Sequence, residues 1–275
     1  MTILNVMKRL QIEKKISPPS FLIDNISYAT LMGSTVYGAS SDQSDMDIYG
    51  FVIPPLSILF PVLEGEIPGF GNQKKRFNIY AEAHIQDGDK EYDFNIYNIV
   101  DYMQLAMNNN PNILDSLFVD DKHILYKDNI SSYIKDNRHI FLHKGAYHKF
   151  TGYAHSQMNK IHNGNNSNNP KRKLTIEKYG FDVKFGYQVV RLLLQLEQIL
   201  SEGDMDLSRN SQILMDIRTG KWTLNELEKW KLDKEKELES LYESSELRHS
   251  YNEKEVYEVL RNALEMKYGT LSFLG

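Results

Sequence analysis

The stretch GSTVYGASSDQSDMDIYG, residues 33–50, holds a Gly33-Ser34 pair, ten intervening residues, and then two alternating carboxylates, Asp45 and Asp47. Ahead of it, ISYATLM (26–32) is β-branched and aromatic and reads as a strand. Gly33-Ser34 therefore falls where a strand ends and a short helix can begin. A glycine lets an anion approach the backbone, a serine hydroxyl adds a donor, and a helix N-terminus carries partial positive charge, so the turn reads as a phosphate loop. Behind it, Ile48, Phe51, Val52 and Ile53 continue a second strand, on which Asp45 and Asp47 share one face about 7 Å apart. Two such carboxylates can share one or two Mg²⁺ ions, which take oxygen ligands and keep substrate phosphates in their remaining positions. A polar turn with aspartate caps is the plainer explanation of a lone Asp-x-Asp. Here the preceding strand, the Gly-Ser pair and the following apolar strand have to coincide as well.

The order Gly-Ser, nine residues, Ser44-Asp45-x-Asp47 on a strand and Gly50 shortly after resembles the DNA polymerase β nucleotidyltransferase superfamily. Segments further along resemble one branch, the RNA-repair-pathway DNA polymerase β family. The resemblance implies an α+β fold, in which a small mixed β-sheet palm flanked by helices is followed by an all-helical C-terminal domain. It also implies Mg²⁺-dependent transfer of a nucleoside monophosphate from an NTP to a hydroxyl, and a third acidic residue on a later strand.

That third acid is sought in the next strand pair. RFNIYAEAHI (76–85) and KEYDFNIYNIV (90–100) flank the turn signal Asp87-Gly88-Asp89 and read as a hairpin. In the second strand Glu91, Asp93 and Asn95 share one face and Tyr92, Phe94 and Ile96 the other. Asp93 matches the superfamily position, Glu91 has the same parity and is its rival, and both also read as ordinary solvent-facing strand acids. The resemblance then makes Asp45, Asp47 and Asp93 the metal-binding and catalytic set, with Mg²⁺, or Mn²⁺ in its place, as cofactor. The next segment, DYMQLAMNNNPNILDSLF (101–118), reads as a helix broken at Asn108-Asn109-Asn110-Pro111, with Asn110 as cap and Pro111 at the first helical position.

Composition bounds the rest. The 275 residues suffice for two modest domains, which we place at 1–121, the palm, and 122–275, the helical part. With no cysteine there are no disulfides and no zinc-thiolate site, which fits a reducing compartment. The opening MTILNVMKRLQIEKKISPPS reads as an amphipathic helix over 2–15 stopped by Ser17-Pro18-Pro19, and its charges exclude a signal peptide. No window is apolar enough for a membrane span, so a cytoplasmic protein is expected. The net charge of −5 argues against a protein that coats nucleic acid, yet it hides an asymmetry: residues 1–121 carry 8 basic against 16 acidic side chains, 122–191 carry 13 against 4, and 192–275 carry 11 against 17. A basic middle beside an acidic site suits a polyanionic substrate.

From about Lys122 strand signals vanish and helices follow. Tyr153, Gln157 and Lys160 fall on one helical face. NGNNSNNPKRK (163–173) reads as a basic, Asn-rich loop that is either solvated surface or a nucleic-acid contact. The strongest helix lies within 178–207, where Lys184, Gln188 and Arg191 are spaced i, i+4, i+7 opposite Val189, Leu192, Leu193 and Leu196. The resembled branch carries Lys…His…Arg there. Gln188 replaces the histidine and removes a titratable group, while Lys184 and Arg191 are left to bind phosphate; the bland alternative is a solvent-facing charged stripe. Ile217-Arg218-Thr219-Gly220-Lys221 resembles another segment of the branch, Thr223 caps the helix after it, 230–250 reads as an exposed charged helix, and a last amphipathic helix ends at Gly269.

The leading expectation is an NTP bound through Gly33, Ser34, Lys184 and Arg191, with an RNA acceptor, such as a tRNA 3′ end, contacting residues 122–191. Nucleotidylation of a protein or small molecule is the runner-up. A nucleotide-binding module without catalysis and a helical RNA-binding protein are the non-enzyme alternatives.

Overall fold

The computed structural model of the protein describes residues 2–39, 45–73, 75–163 and 170–271. At its centre is a five-stranded mixed sheet built from β1 (Ile26–Leu31), β2 (Met46–Val52), β3 (Ile79–Asp87), β4 (Lys90–Asn98) and β5 (Ile124–Lys127), in the order β3-β4-β2-β1-β5. β1 runs antiparallel to β2 and β5, β3 antiparallel to β4, and only β2 and β4 are parallel. Gly50 makes the β1–β2 contact close: a Cβ there would lie 2.0 Å from the carbonyl oxygen of Tyr28.

The alternation read from the sequence divides the sheet into two faces. Ala29, Ile48, Val52, Phe94 and Ile96 form one cluster with Met7 and Leu10 of the opening helix, α1 (Ile3–Ile12). Tyr28 and Phe51 point to the other face, into a second cluster that continues through the helices as far as Leu264. The helices beyond the sheet are α5 (Asn129–Asp136), α6 (Ala146–Asn163), α7 (Pro170–Tyr179), α8 (Val183–Glu202), α9 (Ser211–Arg218), α10 (Leu224–Ser244) and α11 (Glu253–Tyr268). Two short helical turns, α2 (Leu56–Leu59) and the 3₁₀ turn Pro61–Glu64, lie between β2 and β3, and α3 (Ile99–Met107) and α4 (Pro111–Phe118) follow β4. The fold is α+β.

Helix ends follow local chemistry. The Asn110 side chain accepts from the backbone N–H groups of Asn112 and Ile113, and Pro111 opens α4 at no cost in hydrogen bonds. Asn109, fully buried at φ +51°, donates from Nδ2 to the Phe141 carbonyl at 2.5 Å, so the NNNP break is anchored in the core. Thr223 and Glu226 form a reciprocal capping box on α10. Gly203 ends α8 in the left-handed conformation.

Three expectations are corrected. Strand signals do not end at Lys122: the short β5 lies beyond it and pairs with β1, because four residues of mixed burial are too few to show period-two alternation. The sheet is therefore completed past the boundary expected at 121, and the large cluster includes residues on both sides of that boundary. The loop expected at 163–173 ends earlier, since Pro170 begins α7; residues 164–169 lie outside the described residues. The exposed helix expected over 230–250 stops at Ser244, and it buries Lys231 and Leu238.

The N-terminal helix is tied to the β3–β4 turn by a two-pronged ion pair. Arg9 donates from Nη1 to Asp87 Oδ1 at 2.9 Å and from Nη2 to Oδ2 at 2.5 Å. These bonds hold the Asp87 carboxyl at about 2, below its ordinary value. A carboxyl depressed in the folded state stabilises above its unfolded value of about 4, and the contribution is lost as pH falls from there through about 2. Arg9→Ala is therefore expected to unfold at lower urea than the wild type at pH 7, with the gap between the two closing as pH falls from about 4 to about 2. Urea midpoints at pH 7, 4 and 2.5 measure this.

Candidate active site

The parallel pairing of β2 with β4 sets the site. Its register places Asp47 directly beside Asp93, with Met46 beside Tyr92 and Ile48 beside Phe94. Since Tyr92 and Phe94 belong to the cluster on the α1 side, both aspartates face the helices. Burial, and then the adjacent Asp93 carboxylate and Asp45, push the Asp47 carboxyl above its usual range, while Lys184 pulls it back. Asp45, exposed and just before β2, and Lys184, at the first turn of α8, are thus electrically part of the same centre. Like charges held this close favour a cation between them, and carboxylate oxygens are the ligands that Mg²⁺ and Mn²⁺ prefer. The donor set fits a hard divalent ion.

Gly33 covers Asp47. It has φ +72°, and a Cβ at this position would lie 2.2 Å from Asp47 Oδ2. The Met32 N–H donates to the Asp47 carbonyl at 2.8 Å, so the turn is also fastened to β2 through the backbone. Gly33–Thr35 form a single 3₁₀ turn, and Ala39 N–H returns to the Ser34 carbonyl at 3.0 Å. Arg218 holds the far end of this loop by donating from Nη1 to the Ala39 carbonyl at 2.5 Å, with its guanidinium 5.5 Å from the Tyr187 ring centre. Residues 40–44, including Ser44, lie outside the described residues.

Of the two candidate third acids, Asp93 is the one in register with Asp47. Glu91 lies two residues earlier on β4 with both oxygens engaged: His84 Nδ1 is 2.5 Å from Oε1, and Gln86 Nε2 donates to Oε2 at 2.5 Å. Among the described residues, the group that brings three ligand-type atoms within 4.8 Å of one another is His84, Glu91 and Asp93, which includes one of the expected ligands and omits the Asp45–Asp47 pair. Hydrogen bonding of His84 and Gln86 to Glu91, and of the His84 backbone N–H to Asp93, accounts for the closeness of that group.

Lys184, Gln188 and Arg191 do not form the solvent-facing stripe considered above. Arg191 is 5% exposed, and its Nη1 binds the fully buried Asp115 of α4. Nη1 also donates to the Tyr37 hydroxyl at 2.6 Å, Tyr37 donates to Asp115 Oδ2 at 2.5 Å, and Arg191 Nε donates to Gln188 Oε1 at 2.9 Å. Much of the charge expected to meet a triphosphate is already balanced inside the protein. Arg191 still borders two neighbouring cavities: a small one of about 140 Å³ with Gly33, Tyr37, Asp47 and Tyr49, and a larger one of about 370 Å³ with Tyr153, Gln157, Lys160 and Lys184. Asn112 and Gln188 line both. The two polar helix faces read from sequence, on α6 and α8, therefore meet beside the acids. A still larger concavity of about 680 Å³ runs along residues 57–77 and shares no lining residue with this centre.

Sequence reasoning did not single out Tyr37, Asp115, Asn112 or Arg218 as site residues. Asp115 had a local signal, an aspartate in an otherwise apolar helical turn, whereas Asn112 and Tyr37 had none.

A mixed sheet with facing aspartates beside a Gly-Ser turn, roofed by helices, is the framework of a nucleotidyltransferase. The model of the RNA repair pathway DNA polymerase beta family (RlaP) matches residues 2–264, and the chain belongs to that family. It is accordingly a nucleotidyltransferase of the DNA polymerase β superfamily, for which the family implies a nucleotide substrate and the use of metal. A solved nucleotidyltransferase-like protein from Exiguobacterium sibiricum 255-15 is similar at 10% identity and a TM-score of 0.31, over 96% of this chain and 80% of that one. No curated protein matches. No helix among the described residues is long and apolar enough to cross a membrane.

The buried pair gives a stability test. Asp115→Ala strands the Arg191 charge in the core and is expected to cost about 3–5 kcal/mol, whereas Lys184→Ala, at an exposed position, is expected to change stability by less than about 0.5 kcal/mol. Urea denaturation of the two variants measures both.

Proposed function

We propose that the protein transfers a nucleoside monophosphate from an NTP to an acceptor hydroxyl with Mg²⁺ as cofactor, Mn²⁺ substituting, and that the acceptor is RNA. The observation that carries the reading is the register of Asp47 with Asp93 under the Gly33 turn. In this reading Asp45 and Asp47 would hold the metal that accompanies the triphosphate, and Asp93 would help to hold a second. The bound cations would supply charge neutralisation at the triphosphate and polarise the acceptor oxygen. Gly33 and Ser34 receive phosphate oxygens on the turn, and Lys184 places its positive charge near the negative charge that develops on the leaving pyrophosphate. Arg191 acts from the cavity wall. The acceptor oxygen forms a bond to the α-phosphorus as the bond from that phosphorus to the bridging oxygen breaks; pyrophosphate leaves, and the hydroxyl proton passes to Asp93.

The charge distribution supports a polyanionic acceptor, with the surplus of nine positive charges over 122–191 lying between two acidic flanks. Tyr153 and Lys160 at the mouth of the larger cavity belong to that segment. The absence of a membrane-spanning helix among the described residues accords with a cytoplasmic enzyme. Transfer to a protein or small molecule is the second reading, favoured by the overall negative charge.

Incubation with each α-labelled NTP, Mg²⁺ and a mixture of cellular RNA and protein is expected to label RNA; label in protein alone would favour the second reading. The carboxylates should separate by role. Asp93→Asn is expected to keep NTP affinity while single-turnover transfer falls by about three orders of magnitude or more, Asp47→Asn to lose both, and Glu91→Gln to keep both. Selective loss in Glu91→Gln with a silent Asp93→Asn would reverse the assignment. NTP with Mg²⁺ at about a hundredfold excess over Kd should stabilise the fold by about 2.7 kcal/mol, read as a rise in Tm that Gly33→Ala abolishes.

A further inference from the structure

Opposite Asp93 the β3–β4 ladder is out of step. Glu82 pairs with Phe94 and Ile85 pairs with Tyr92, so Ala83 and His84 together face the single residue between those partners, Asp93. Such a bulge turns a backbone group out of the ladder and re-aims what lies beside it. His84 adopts φ +60°, a left-handed conformation that non-glycine residues rarely take. Its side chain is 80% exposed, so packing of the imidazole does not hold it there. What the turn achieves is visible in its bonds: the His84 backbone N–H donates to Asp93 Oδ1 at 2.7 Å. In an unbroken antiparallel ladder a backbone N–H at this position would point to the neighbouring strand's backbone or away from it, and not to a side-chain carboxylate.

We infer that the Ala83–His84 bulge positions the third carboxylate: the His84 N–H holds Oδ1 of Asp93 and turns Oδ2 to the face shared with Asp47, while the His84 and Gln86 side chains draw Glu91 aside. The inference rests on the reading of Asp93 as the third metal ligand. His84 acts through Asp93 and is a positioning residue. Its backbone carries the effect, which separates it from an imidazole that would touch substrate. The bulge also explains why two acids of equal parity on one strand do different work. A single inserted residue gives Asp93 a main-chain donor, and the same residue's ring occupies Glu91.

Deletion of His84 is a direct test, because it leaves one residue opposite Asp93 and preserves the pairings of Glu82 with Phe94 and of Ile85 with Tyr92. Three quantities are measured: pyrophosphate release in a single turnover with cellular RNA as acceptor pool, NTP affinity, and Mn²⁺ binding followed by electron paramagnetic resonance. Deletion is expected to lower transfer about a hundredfold and to weaken the second Mn²⁺ by about tenfold or more, with NTP affinity and the first Mn²⁺ little changed. A length-preserving pair guards against misfolding of the deletion. His84→Gly keeps the N–H and accepts the left-handed backbone, so transfer should remain within about fivefold of wild type; His84→Val resists that conformation and should fall towards the deletion. Wild-type transfer and Mn²⁺ binding in both the deletion and His84→Val would overturn the inference. A loss in His84→Gly as deep as in the deletion would also overturn it, by assigning the effect to the imidazole. Asp93→Asn distinguishes the two levels: if it is silent, the reading of Asp93 fails, and if it abolishes transfer while the bulge variants do not, only the bulge proposal fails.

Discussion

The buried pair between Arg191 and Asp115 fixes how the helices sit on the sheet. Removing two charges from water is costly, and the attraction between them offsets that cost only with close geometry and satisfied partners. Here Tyr37 supplies the third member, so one knot ties the loop after Gly33, the helix α4 that follows the NNNP break, and the central helix α8. Each of these carries a residue of the candidate site: Gly33, Asn112 and Lys184. The arrangement couples the position of Lys184 to that of the Gly-Ser turn, because α8 cannot slide without stranding a charge.

Around that anchor the face that carries Asp47 and Asp93 is made by close approach. Parallel pairing sets Asp47 against Asp93, a juxtaposition that opposes folding in the absence of a cation, since like charges on adjacent strands repel. The turn at Gly33 then presses on the Asp47 carboxylate where any Cβ would collide with it. The arrangement is thus unfavourable in charge and crowded in space, and under the proposed function a divalent ion would relieve the repulsion between the carboxylates. Structure that is unfavourable without its ligand is a common way for a binding site to be made specific. The same logic applies to the bulge opposite Asp93, where a non-glycine residue is held left-handed for the sake of one hydrogen bond.

The Ile217–Lys221 segment illustrates how a stretch remote in sequence holds the loop after Gly33. Arg218 reaches the Ala39 carbonyl across 179 positions of chain and closes the end of the phosphate loop, and Gly220, at φ +76°, lets the Tyr179 ring approach to where a Cβ would stand. The helical region is thus more than a lid over the sheet, since it fixes the loop that a nucleotide would contact.

Much was legible because it is local. The strand-turn-strand around Gly33, the parity that gives Asp47 and Asp93 a common face, the caps at Asn110 and Thr223, and the end of α8 at Gly203 all depend on period, propensity or a capping side chain within a few residues. The short strand β5 escaped because four residues are too few to show a period, and the early start of α7 because PKRKLTIEKY holds too few apolar residues to form a helical stripe. What tertiary structure decided is which of several equivalent residues does what. Glu91 and Asp93 have the same parity, and only the register of β2 with β4 puts one of them beside Asp47. Arg191 and Lys184 lie on one helical stripe, yet packing against α4 buries the first in an ion pair and leaves the second facing the cavity. Sequence fixes the direction a side chain takes from its own element; the distance to a group 70 or 150 residues away is set by how the elements pack, and charge acts through that distance.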